Sequence, residues 1–103
     1  MGYARNRTKT VTADATTNQT GWCSCKKGAV VTLEGTFVGT VTLQRRGADL
    51  NTVDATNNAA AVITFTAAGT YTLSPDLVQA EYRLNMKSGA YTSGTCIMMI
   101  EGL

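Results

Sequence analysis

Three cysteines are the residues of this chain best suited to hold a metal. Cys23-x-Cys25, joined by Cys96, could offer three thiolates to zinc. A structural zinc site takes four ligands, with two to four residues between the members of a local pair. Here one residue separates the pair, and the chain has no histidine to complete the set. Free cysteine is among the most buried residue types, so the three read as small core residues. Their odd number leaves at least one thiol unpaired within the chain. A bridge from Cys96 to Cys23 or to Cys25 stays open on geometry.

The missing histidine removes the commonest general base along with the commonest zinc ligand. Neither a Ser-His-Asp nor a Cys-His site can be assembled from this chain alone. The carboxylates are Asp14, Glu34, Asp49, Asp54, Asp76, Glu81 and Glu101, scattered over turns and strand faces. Glycoside hydrolysis needs two of them facing each other across a cleft, which a 103-residue sandwich seldom offers. The reading is therefore a protein that is not an enzyme, with no cofactor and no bound metal.

Side chains suited to contact are better represented. Arg5, Arg7 and Lys9 form a basic run without an acid, and Arg45-Arg46 make a second basic site. These five are candidate contacts for an acidic partner. Tyr3, Trp22 and Tyr91 are candidate aromatics for a glycan or a protein interface, where tryptophan is enriched, although Trp22, the one tryptophan, reads first as a core anchor. The net charge of +2 is too weak to imply nucleic acid. No apolar run approaches the ~18 residues of a membrane span. The first residues lack the apolar centre of a secretory signal, so the expected site of synthesis is a cytosol.

The elements that would position these residues are strands. Threonine is abundant and a single proline, Pro75, interrupts the chain. Residues 1–9 read as a basic N-terminal arm and residues 10–103 as one β domain. Alternation predicts strands over residues 10–13, 22–26, 29–34, 36–45, 52–55, 60–66, 70–73, 81–86 and 95–100. In the long strand over residues 36–45, Phe37, Val41 and Leu43 share one face. Gly35 is expected to break or bulge the chain before it. Asn57-Asn58 and Ser74-Pro75-Asp76 read as turns, and residues 76–80 as one helical turn. Residues 87–94 read as a Gly/Ser/Thr loop. The near-continuous run Cys96-Ile97-Met98-Met99-Ile100 suggests burial on both faces. The fold class is all-β, an antiparallel sandwich or jelly-roll-like barrel of about eight short strands.

Three segments carry a family resemblance. They are LEGTFVGTVTLQR at residues 33–45, FTAAGTYTL at residues 65–73, and Tyr82-Arg83-Leu84 with Ser93-Gly94-Thr95. Together they resemble small β-sandwich virion proteins of tailed bacteriophages. In those proteins a G-x-F-x-G-T-V-x-L-Q-R strand precedes an F-x-x-x-G-x-Y-x-L hairpin and a Y-R-L … S-G-T ending. The resemblance spans about residues 28–102. It implies a capsid decoration (cement) protein on the capsid exterior of the virion, made in the host cytoplasm. Its partner would be the major capsid protein, and it would form a homo-oligomer, a trimer being favoured. The alternative is a host-glycan-binding domain of a tail or head fibre. The resemblance brings no catalytic residues.

Overall fold

A computed structural model describes residues 5–15, 17–47, 49–56, 60–73 and 79–103. Its strands are β1 (Asn6–Val11), β2 (Cys23–Cys25), β3 (Ala29–Glu34), β4 (Phe37–Gly39), β5 (Val41–Arg46), β6 (Thr52–Asp54), β7 (Thr64–Phe65), β8 (Gly69–Thr72), β9 (Ala80–Asn85), β10 (Tyr91–Gly94) and β11 (Cys96–Gly102). All pairings between them are antiparallel. One sheet has the order β1-β11-β3-β8. The other has the order β2-β9-β5-β6, with β7 also on β5. β4 and β10 form a separate two-stranded ribbon. Among the described residues the sheets face each other as a sandwich and do not close into a barrel.

Period-two alternation makes the core. Val11, Ala29, Val31, Leu33, Cys96, Met98 and Ile100 come from the first sheet. Cys23, Cys25, Val41, Leu43, Phe65, Tyr82, Leu84 and Met86 meet them from the second, with Ala55 beyond β6. At about 25 cal/mol per Å² of buried apolar surface, this layer is the main stabilising term. The cysteines are part of it: all three are buried and unbridged. Burial pushes the Cys25 thiol up to about 12 and the Cys96 thiol up to about 11, and raises Cys23 as well.

Four expectations change. First, the chain is already a strand at Asn6, so residues 6–9 belong to the sheet rather than to a separate arm. Their backbone pairs with β11, Arg7 opposite Ile100 and Lys9 opposite Met98. Second, the strand expected over residues 36–45 is two strands. The chain changes sheets at Thr40, whose N–H donates to the Ala90 carbonyl at 3.2 Å. Third, the supposed loop over residues 87–94 contains β10, which pairs with β4. Fourth, β11 is central, but only Cys96, Met98 and Ile100 are fully buried, while Ile97 and Met99 are half-covered on the outer face. The extra segments bring about eight expected strands to eleven among the described residues. The proposed turns at Asn57-Asn58 and Ser74-Pro75-Asp76, and most of the proposed helical turn, lie outside the described residues.

Gly35 does end β3, for a steric reason. It has φ +95, and a Cβ there would strike the Thr95 carbonyl oxygen. Gly94, with φ +89, faces the Thr36 carbonyl in the same way. The two turns press backbone to backbone, and the Thr95 N–H donates to Thr36 O at 2.9 Å. Only glycine combines the left-handed φ with that approach.

Candidate functional site

The outer face of the β2-β9-β5-β6 sheet gathers the chain's most contact-prone side chains. Trp22 lies just before β2. Since Cys23 pairs with Tyr82 in antiparallel register, Trp22 falls beside Arg83. Arg83 pairs with Gln44, and Gln44 with Asp54. One step along the strands, Ser24, Glu81, Arg46 and Thr52 form the adjacent row. Tyr82, Leu84 and Leu43 occupy the inner positions of the same strands, which drives these polar neighbours outward.

The Trp22 ring carries two cations. The guanidinium carbons of Arg46 and Arg83 each lie 4.5 Å from its centroid. Such contacts contribute about 0.5–1 kcal/mol each where exposed and more where water is excluded. Arg46 Nε also donates to Glu81 Oε1 at 2.9 Å, an ion pair with both side chains partly exposed. Arg83 Nε donates to Gln44 Oε1 at 2.9 Å, a neutral acceptor. Among the described residues no carboxylate pairs with Arg83. Burial, and then the Arg46 charge, push its guanidinium below the ordinary value.

Gln44 is the hub of this face and is only 8% exposed. Its Oε1 accepts from Arg83 and, at 3.1 Å, from Asn85 Nδ2. Its Nε2 donates to Asp54 Oδ1 at 3.0 Å. Lys87 Nζ donates to Asp54 Oδ2 at 2.6 Å. Lys87 first and Gln44 second hold the Asp54 carboxyl below its usual value. A network satisfied in this way is stiff, because each side chain fixes the rotamer of the next.

Beside the ion pair runs an open groove of about 320 Å³, lined by Ser24, Arg46, Leu50, Gln79 and Glu81 among others. Leu50 stands at its rim, 63% exposed and at φ 60. A bulky non-glycine residue in that region is strained. It is held by the turn hydrogen bond from its N–H to Gly47 O at 3.0 Å.

The candidates drawn from the sequence divide. Arg46 and Trp22, read separately, come together here. Arg45 is adjacent to Arg46 and therefore turns to the opposite face, opposite Val53 and Tyr82. Arg7, Lys9 and Val11 share the core-facing side of β1. Arg7 Nε reaches across the sandwich edge to the Trp22 carbonyl at 3.1 Å, and Lys9 is half-buried. Arg5 is exposed, and its carbonyl accepts from the Gly102 N–H at 2.7 Å. Tyr91 is a staple: its hydroxyl faces the Thr12 and Gly94 carbonyls, each at 3.0 Å. Tyr3 lies outside the described residues.

Sequence reasoning missed Arg83, Gln44 and Lys87 as members of the cluster, and noted Asp54 and Glu81 only as scattered acids. The outward alternation of Arg83 and Gln44 was visible. Their meeting depends on the β5–β9 register, which no local signal carries.

Among the described residues no group of three or more His, Cys, Asp or Glu side chains is placed to hold a metal ion. Among the described residues no helix is long and apolar enough to cross a membrane. Comparison with protein-family models, with curated proteins and with solved structures finds no match to this chain.

Proposed function

We propose that the protein is a structural component of a bacteriophage particle, a head decoration protein. It binds the outer surface of the capsid through the major capsid protein, as an oligomer for which a trimer is favoured, and stabilises the shell. The observation that carries the contact role is the Trp22 face. It presents tryptophan and two arginines, the residue types that dominate binding hot spots, on a rigid hydrogen-bonded sheet. The virion assignment is supported by the sequence resemblance over residues 28–102.

The fibre alternative has less support. A sugar stacking on Trp22 would compete with two guanidiniums already over the ring.

Co-sedimentation of the pure protein with expanded phage capsids, together with its own sedimentation velocity, tests the proposal. Saturable capsid binding by an oligomer is expected, and Trp22→Ala should weaken it. A stable monomer that ignores capsids overturns it.

A further inference from the structure

The charges of the Trp22 face are unequally matched. Glu81 is paired with Arg46 and Asp54 with Lys87. Arg83 spends its Nε–H on the neutral Gln44, so its positive charge has no acidic counterpart among the described residues. A guanidinium has five N–H donors in a planar fork, and Nε supplies only one of them. Arg46 and Arg83 therefore set two like charges at one ring, and among the described residues each commits only its Nε–H to a hydrogen bond. A carboxylate entering there would relieve their repulsion.

The surroundings narrow the class of ligand. The groove beside Arg46 has Leu50 at its rim and Ser24 and Gln79 along its sides, so one part of it is apolar. Glu81 and Asp54 lie in the same two rows of side chains. They would repel the closely spaced phosphates of a nucleic acid, while a single carboxylate can sit between them. The chain's net charge of +2 gives little counterion release to favour a polyanion.

From this charge complementarity we infer that the Trp22 face docks a carboxylate-bearing extended segment of a protein partner. An Asp or Glu of that segment takes the Arg83 and Arg46 donors, and a neighbouring apolar side chain lies in the groove against Leu50. The inference rests on the Trp22 face being a contact surface. It does not need the partner to be a capsid.

Trp22 is the only tryptophan, so its fluorescence reports the site directly. The probe is a twelve-residue end-blocked peptide of alternating glutamate and leucine. Its controls are the same peptide with glutamine for glutamate and a single-stranded oligonucleotide of equal charge. The acidic peptide should give a saturable emission change that weakens in high salt, and the glutamine peptide should give none. Arg83→Gln should weaken binding about 10-fold, as for loss of a charge-assisted hydrogen bond, and Arg83→Lys less. Glu81→Gln, which leaves the arginines in place and removes a like charge from the ligand's path, should tighten it. Circular dichroism of each variant separates lost binding from lost fold. No response to the acidic peptide, an equal response to the glutamine peptide, or tighter binding of the oligonucleotide overturns the inference. Peptide binding without capsid binding breaks only the virion role. Capsid binding without peptide binding breaks only this inference.

Discussion

On the outer face of the β1-β11-β3-β8 sheet, Thr8, Met99, Thr32 and Thr70 lie in one row across four strands. On the outer face of the other sheet, Trp22, Arg83, Gln44 and Asp54 lie in the corresponding row. Both rows sit above the one core layer that the two sheets share. Among the described residues no hydrogen bond joins side chains across the first row. Across the second, three bonds link Arg83, Asn85, Gln44 and Asp54, and a fourth reaches Lys87. Short threonines on a sheet act nearly independently, each through its own β-propensity and packing. A bonded network acts as a unit, so removing one member leaves others unsatisfied. One sheet alternation thus supports an adaptable face and a specified face.

The largest effect should come from the strand that joins the two sheets' edges. β1 covers the edge of β11, and Arg7 ties it to the Trp22 carbonyl beside the second sheet. Deleting residues 1–9 removes most of that strand and bares the flank of Met98 and Ile100. The expected loss is about 3 kcal/mol or more in urea denaturation, from lost pairing and burial together. A free basic arm would cost nothing. Unchanged stability would mean that β1 contributes no more than such an arm.

Next in size is the hub. Gln44→Leu keeps the volume but strips one hydrogen bond from each of Arg83, Asn85 and Asp54 at once, and should cost about 2 kcal/mol. The double variant Gln44→Leu with Asp54→Asn should cost less than the sum of the two single changes. Strict additivity in that cycle would show that the face is a set of independent bonds.

These particulars show how far the sequence could be read. β9 was legible because one face is apolar and the other polar over six residues, and β3 because its β-branched run ends in the alternation Val31-Thr32-Leu33-Glu34. The break between β4 and β5 was not, since the apolar period runs through Thr40 unchanged and only the Ala90 carbonyl marks the switch. The inward turn of Arg7 and Lys9 was hidden for a related reason. Charges on the core side of an edge strand look like a solvated tail until the pairing is known, yet they guard such edges against further pairing. From sequence Trp22 reads first as a core residue and Arg46 as solvated charge, with partner contact the second reading of each. Their joining with Arg83 required the register of three strands whose partners lie tens of residues apart.

A smaller effect is expected from acid. The Asp54 carboxyl titrates below its ordinary 3.8 because Lys87 and Gln44 stabilise the charged form. A carboxyl depressed in the folded state stabilises above its unfolded value, and that share is lost as the pH falls through the folded value. Wild type should therefore exceed Asp54→Asn at pH 7 by less than about 1 kcal/mol, as for a partly exposed pair. The two stability curves should converge as the pH falls below the ordinary 3.8 of Asp54 and through its lowered folded value. A gap that persists through that range would assign the difference to the shape of the side chain rather than to its charge.

The smallest change belongs to the threonine face. Thr32→Val exchanges a hydroxyl for a methyl at a half-buried outward position between Met99 and Thr70. Valine favours strands at least as strongly, and among the described residues no side chain bonds the Thr32 hydroxyl, so stability should stay within about 0.5 kcal/mol. That neutrality makes the variant a clean probe of contact. If Thr32→Val melts like wild type and still binds capsids fully, while Trp22→Ala does not, the specified face is the one that docks. If Thr32→Val loses binding at unchanged stability, the contact lies on the adaptable face, where hydroxyls meet the partner one by one.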